Sequence, residues 1–169
     1  MNRLDDMIAR LLTQRACLDE AARLVAGLPG SVLEIGLGRG RTYSHLRQLF
    51  AGREIFAFDW DNRAWPDACP DGGYLVLGDF RQTLPAAAGR LTRPAALAHS
   101  DFGSPDRQAD AALAQDIAGP IVGLMAPRGL VVSDRPLAHD RLAEIDGPAV
   151  DLPAGIGTWP YFLYRVAEA

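Results

Sequence analysis

The sequence predicts an α/β domain: an open, mostly parallel, twisted sheet with helices on both faces and a C-terminal antiparallel strand. Short apolar runs rich in β-forming residues, SVLEIG, EIFAFD, YLVLGD, AALAHSD, GLVVSD and YFLYRV, recur along the chain. Their near-continuous hydrophobicity is what strands covered on both faces require. The segments between them are long enough for the crossovers that parallel neighbours need.

The elements follow in order. Leu4, Met7, Ile8, Leu11, Leu12, Leu18, Ala22 and Val25 lie at helical spacing, and Gly27-Leu28-Pro29-Gly30 closes the pattern, so residues 1–28 are expected to hold an amphipathic helix whose apolar stripe is this one. SVLEIG is the first strand. A helix from Thr42 to Phe50 follows its glycine-rich exit, and EIFAFD and YLVLGD are the next strands. Residues Arg81 to Arg90 contain Pro85 and are expected to form one or two helical turns. After AALAHSD, residues Asp106 to Leu124 read as a helix that Gly119-Pro120 should end or kink. Beyond GLVVSD the chain is abbreviated. Leu142 to Ile145 is either a short strand or a helix remnant, and Pro148, Pro153 and Pro160 punctuate the stretch after it. The tail YFLYRV closes the sheet as an antiparallel strand.

A chain of 169 residues fits one domain, 1–169. Apolar content of 49% with 22% charge is the balance of a soluble globular protein, and a net charge of −4 argues against nucleic acid or an anionic membrane as partner. All 17 basic residues are arginine. That excludes chemistry through a lysine Schiff base or a phosphate-loop lysine. The N-terminus lacks the apolar centre of a signal peptide and no window approaches a membrane span, so the expected location is cytoplasmic. Cys17 and Cys69 belong to no CxxC and are expected as buried or half-buried thiols. With His45, His99 and His139 scattered, no zinc spacing can be composed.

The chemistry begins at Val32 to Gly40, VLEIGLGRG, with glycine at 36, 38 and 40 directly after a strand. Glycine there permits a sharp turn and a close approach of backbone to a ligand, and the loop leads into a helix whose N-terminal amides favour an anionic group. The dinucleotide fingerprint GxGxxG needs glycine at 41, where Arg41 stands, whereas ExGxGxG fits. Glu34-Ile35-Gly36-Leu37-Gly38-Arg39-Gly40 resembles motif I of the class I S-adenosylmethionine-dependent methyltransferases, with their Rossmann-like fold.

The resemblance covers roughly Ser31 to Pro136, making residues 31–136 the cofactor-binding core and 137–169 the abbreviated C-terminal part. It implies S-adenosyl-L-methionine as cofactor. Glu34 is expected to hold the methionine ammonium directly or through water, and the loop amides after Gly36, at Leu37, Gly38 and Gly40, its carboxylate end. Asp59, closing EIFAFD, corresponds to the acid that accepts the ribose hydroxyls. Trp60 either stacks on adenine or anchors an apolar loop. Asp79 and the Phe80 amide match the adenine position, with helix capping as the plain alternative for Asp79. AALAHSDF resembles motif IV, where donor and acceptor meet, which places Ser100 and Asp101 at the mouth. Asp101 can orient an acceptor hydroxyl or amine and take its proton. His99 is an alternative base, but strand alternation points it away from the face Ser100 uses, which favours a packed strand histidine.

Asp134 ends the fifth strand. Metal-dependent relatives carry Asp-Asn there, and Arg135 in place of Asn argues against a metal, since a guanidinium repels cations. Arg135 instead meets an anionic part of the acceptor or pairs with Asp134. Trp159 and Tyr161 either close the sheet edge, the favoured role, or wall the acceptor pocket. The expected activity is methyl transfer to a small polar acceptor, with Asp101, Asp134 and Arg135 on the acceptor side and a homo-oligomer or the N-terminal helix completing the site. The alternatives are a non-catalytic cofactor-binding module, an aminopropyl transferase and, against the Arg41 mismatch, an NAD-linked oxidoreductase.

Overall fold

A computed structural model describes residues 2–168. Among them the elements run α1 (Arg3–Leu24), β1 (Val32–Ile35), α2 (Arg41–Leu49), β2 (Ile55–Asp59), β3 (Leu75–Leu77), α3 (Phe80–Ala86), β4 (Ala95–Ser100), α4 (Arg107–Leu124), β5 (Met125–Ser133), β6 (Leu142–Ile145) and β7 (Phe162–Val166). The strands form one sheet in the order β3-β2-β1-β4-β5-β7-β6. β1 pairs in parallel with β2 and β4, while β7 runs antiparallel to both β5 and β6. The predicted sheet is therefore present, with Leu142–Ile145 resolved as its edge strand.

The strand order reverses direction between β1 and β4. Chain leaving β1 proceeds outward through β2 and β3, while β4 starts on the other side. Crevices at such switch points lie beyond the carboxyl ends of the strands. Here that end carries the glycine loop, Asp59, Asp101 and Asp134.

Two layers of side chains cover the sheet. Leu33, Ile35, Phe58, Phe80, Leu84, Ile117 and Ile121 form one cluster with α3 and α4. Leu18, Val32, Leu46, Leu97, Leu130 and Leu163 form the other with α1 and α2. Ile117 and Ile121 are each fully buried, a contribution of about 1.5–3 kcal/mol apiece. That continuous apolar face explains why α4 reaches Leu124, as expected, with Gly119-Pro120, where an end or a kink was expected, lying inside the helix and not ending it.

The apolar stripe anticipated on α1 holds at Leu18 and Val25, both buried, and is corrected over the first half of the helix. Its buried residues are Ala9, Thr13, Gln14, Cys17, Leu18 and Ala21, whereas Leu4, Met7 and Leu11 are exposed. Hydropathy misplaces this face because small residues let the helix approach the sheet and a hydrogen-bonded glutamine substitutes for an apolar contact. Cys17 is buried and Cys69 half-buried, both as free thiols. No helix is long and apolar enough to cross a membrane among the described residues.

Candidate active site

β1 delivers the glycine loop to the switch point, and its three glycines serve different ends. At Gly36, with φ of +94°, a Cβ would lie 2.2 Å from the Asp101 carbonyl oxygen; at Gly40, with φ of +82°, 2.5 Å from that of Ala68. Both are bare because other chain segments cross them. Gly38, with φ of +52°, has nothing within 4 Å of the point where a Cβ would stand. Only this glycine opens toward space a ligand could fill, which narrows the expectation placed on all three.

Asp59 braces that opening. Its Oδ2 accepts the Gly38 amide at 2.8 Å and its Oδ1 the Trp60 amide at 2.7 Å. Each oxygen keeps a lone pair for a further donor. Trp60, the next residue along the chain, is 58% exposed. The loop amides expected to hold an anionic group are engaged internally, however. Gly36 and Leu37 donate to the Phe58 carbonyl, Gly38 to Asp59 and Gly40 to the Leu37 carbonyl. The anion-seeking donors are instead at the start of α2, where Gly40 is the N-cap in left-handed conformation and no side chain caps the helix. The Leu37 side chain is buried in the core.

Asp79 caps α3, accepting the Arg81 amide at 2.9 Å, and the Phe80 ring is buried edge-to-face against Phe102 with centroids 5.3 Å apart. The capping role is thus present in the structure, and the Phe80 amide lies at the first position of the helix, where no helix carbonyl can reach it.

The region beyond the end of β4 is more connected than the sequence disclosed. Asp101 follows β4 and is bound from α1: Arg10 Nη2 lies 2.7 Å from Oδ1 and 2.9 Å from Oδ2, and the Gln14 amide donates to Oδ2. Gln14 also donates to the Tyr161 hydroxyl at 3.0 Å, which lies 2.7 Å from His99 Nε2. His99 Nδ1 is 2.7 Å from Glu34 Oε2, and Thr42 donates its hydroxyl to the other Glu34 oxygen. Glu34 and His99 are fully buried. Glu34 therefore faces its protein partners with both oxygens.

His99 and Glu34 meet because parallel register sets them opposite each other on adjacent strands. His99 is packed and faces away from Ser100, as alternation implied, yet it joins the cluster through Glu34 and Tyr161. Ser100 Oγ is buried without a hydrogen-bond partner among the described residues. Tyr161, which the sequence assigned first to edge closure, carries its hydroxyl into the site. Burial, reinforced by the charge of Asp101, pushes its pKa well above the ordinary phenol value. Arg10, Gln14 and Thr42 emerge only from the fold, and Tyr161 takes its place through a hydroxyl the sequence did not single out. The available signal was the two-residue spacing of His99 and Asp101, which puts both on the same face as Tyr161 and α1.

Arg135 takes the second of its two anticipated roles. Its Nε lies 2.8 Å from Asp134 Oδ1 and its Nη2 2.6 Å from Oδ2, and it rests over the Phe102 ring at 4.7 Å. Burial, then the charge of Asp101, raises the Asp134 carboxyl pKa against the opposing pull of Arg135. Among the described residues no group of three or more His, Cys, Asp or Glu converges as metal ligands do.

A cleft of ≈ 550 Å³ lies elsewhere, at the amino ends of the strands, lined by Gly27, Pro29, Arg53, Glu54 and Thr92. Its polar groups are already consumed. Glu54 accepts from Ser31 and Thr92, and Arg53 donates to the carbonyls of Val25, Ala26 and Leu28.

Residues 1–166 match the S-adenosyl-L-methionine methyltransferase family. The chain belongs to that family. Its cofactor is accordingly S-adenosyl-L-methionine, and its activity is that of an S-adenosyl-L-methionine-dependent methyltransferase. It is similar to the crystal structure of an S-adenosyl-L-methionine methyl transferase from Silicibacter pomeroyi DSS-3, with 41% identity, a TM-score of 0.85 and 99% of each chain covered. Two further solved structures share the fold of this methyltransferase. One is the 1,6-didemethyltoxoflavin-N1-methyltransferase of Burkholderia thailandensis, crystallised with 1,6-didemethyltoxoflavin and S-adenosylhomocysteine (17% identity, TM-score 0.58, 94% of this chain and 81% of that one). The other is the N-methyltransferase NodS of Bradyrhizobium japonicum WM9 (16% identity, TM-score 0.57, 88% and 93%). No curated protein matches the chain.

Proposed function

We propose that this methyltransferase acts on a small polar acceptor at the carboxyl ends of β1 and β4. The observation that carries this reading is the open face of Gly38, braced by the Asp59 carboxylate, with the exposed Trp60 next along the chain. The cradle fits the cofactor: bare backbone approaches it, a carboxylate with spare lone pairs suits vicinal hydroxyls, and an uncapped helix start suits its anionic end. The cofactor supplies an electrophilic methyl group on a sulfonium sulfur.

The chain's own residues position the rest. Asp59 takes the ribose, Trp60 lies against adenine, and Asp79 with the Phe80 amide meets the adenine edge. Glu34 acts through Thr42 and His99 beneath the loop, and Ser100 lies under the mouth. Asp101, Asp134 and Arg135 frame the acceptor, with Arg10 making the acceptor end a mixture of two carboxylates and two guanidiniums. That balance suits a polar acceptor. In an in-line displacement, holding the nucleophile against the methyl carbon supplies much of the acceleration. The exposed Leu4, Met7 and Leu11 on α1 support a second copy covering this helix, since three apolar side chains along one helix face are otherwise left in water.

Calorimetry tests the cofactor half. A charged hydrogen bond contributes about 1.5–3 kcal/mol, so Asp59→Ala should weaken S-adenosylhomocysteine binding by roughly one to two decades. Unchanged affinity removes Asp59 from the site. Light scattering tests the second copy, which Met7→Glu should disperse to monomers.

A further inference from the structure

We propose that Tyr161, His99 and Glu34 form a proton relay for the methyl acceptor, in which Tyr161 receives the acceptor's proton while passing its own to His99. The inference rests on the methyltransferase reading above and deepens it by naming where the proton goes.

Asp101, the obvious base, is already committed. Its two oxygens take contacts from Arg10 and Gln14, and it works best as a fixed charge. The chain beside it has a consistent direction. The Gln14 Nε2 amino group, held toward the acceptor-only Asp101 carboxylate, can only donate, and it gives one hydrogen to Asp101 and one to the Tyr161 oxygen. Among the described residues the phenol hydrogen then has one acceptor, His99 Nε2 at 2.7 Å. That requires a neutral ring with its proton on Nδ1, donated to Glu34 at 2.7 Å. Every proton in the chain is then placed. A doubly protonated ring leaves the phenol hydrogen without an acceptor.

The arrangement has the logic of a carboxylate that orients and supports a histidine, which in turn takes a hydroxyl proton. The phenol oxygen donates one bond, accepts one from Gln14, and keeps a lone pair for an acceptor N–H or O–H. As the acceptor's lone pair bonds to the methyl carbon, the carbon–sulfur pair stays on sulfur. The acceptor's proton goes to the Tyr161 oxygen and the Tyr161 hydrogen to Nε2. The imidazolium, facing the Glu34 carboxylate, returns its proton to solvent after product leaves. Tyr161 never becomes a free phenolate, which its burial and the Asp101 charge oppose.

The surroundings favour proton uptake by His99. Burial opposes the charged ring, but Glu34 from β1, with Asp101 after β4 and Asp134 after β5, outweighs it, and the pKa lies above the ordinary 6.5. Of the cations nearby, Arg10 from α1 is spent on Asp101 and Arg135 on Asp134.

Nitrogen NMR of histidine-labelled full-length protein, with His99 assigned through His99→Gln, reads the proton on each ring nitrogen. On the alkaline side of its titration, His99 should show a protonated Nδ1 and a bare, hydrogen-bonded Nε2. In Tyr161→Phe the Nε2 signal should move and the Nδ1 signal stay. A neutral ring protonated at Nε2 overturns the relay. The second readout is S-adenosylhomocysteine release from S-adenosylmethionine with a panel of small amines, phenols and alcohols. Tyr161→Phe should lower kcat by about 10²- to 10⁴-fold with cofactor affinity unchanged. Wild-type kcat should rise with pH through an ionisation above 6.5. Wild-type kcat in Tyr161→Phe also overturns the relay, and if no panel member is methylated the NMR result alone decides. Failure of the wild-type protein to bind S-adenosylmethionine sinks the underlying reading instead, whatever the ring tautomer.

Discussion

The three loop glycines look alike in sequence and differ in cause, so alanine at each position should separate structure from binding. At Gly38 the new methyl meets nothing, and the cost is the left-handed backbone of a non-glycine residue, about 1–2 kcal/mol. A domain of this size loses about 2–4 °C of Tm per kcal/mol, so Gly38→Ala should melt roughly 2–8 °C lower. At Gly36 the same backbone cost is joined by a Cβ 2.2 Å from the Asp101 carbonyl oxygen, where both partners are backbone and neither can swing aside. Adding roughly 3 kcal/mol for the overpacking gives about 4–5 kcal/mol and roughly 8–20 °C. Gly40→Ala, facing the Ala68 carbonyl oxygen at 2.5 Å, should resemble Gly36→Ala. Binding should follow the opposite order: folded Gly38→Ala should lose about tenfold or more in S-adenosylhomocysteine affinity, since its methyl fills the opening, and 1.4 kcal/mol is a decade. Differential scanning calorimetry and titration calorimetry on the same samples read both quantities. If Gly38→Ala melted with Gly36→Ala, or bound cofactor like wild type, the assignment of the opening to Gly38 would be refuted.

Other expectations rest on single contacts. The Glu54 carboxyl pKa is held below its ordinary 4.5 chiefly by the Thr92 hydroxyl, with Ser31 adding to it. A lowered folded pKa stabilises above the unfolded value and is lost as pH falls through the folded one, so Glu54→Gln should flatten the decline of Tm below about pH 4.5. Burial pushes the Cys17 thiol up to about 11, so a thiol reagent at neutral pH should label Cys69 in the native protein and reach Cys17 only on denaturation, as mass spectrometry would show. Gln14→Ala removes the donor shared by Asp101 and Tyr161 and should cost about 1–3 kcal/mol in chemical denaturation. A midpoint unchanged from wild type would mean that water replaces the amide without loss.

The strands were legible because a parallel sheet buried on both faces must be written as apolar runs, and each run holds a strand. The glycine loop and the acid 21 residues beyond Gly38 were legible for a related reason: the turn and the carboxylate that braces it obey local rules of spacing. Helix boundaries came out within a residue or two wherever a cap or apolar period marked them. The buried face of α1 did not, because Ala9, Thr13 and Gln14 read as indifferent until a sheet lies under them.

By itself, then, the sequence determined the sheet, its helical cover and the glycine loop with its bracing acid, since these depend on neighbours along the chain. Only the tertiary structure decided which glycine faces open space, where the loop amides are spent, and that Glu34, His99, Tyr161, Gln14, Asp101 and Arg10 form one connected chain. Its contacts join residues as far apart as 147 positions. Strand register and the seating of one helix bring them within hydrogen-bonding distance, and neither is encoded in local spacing.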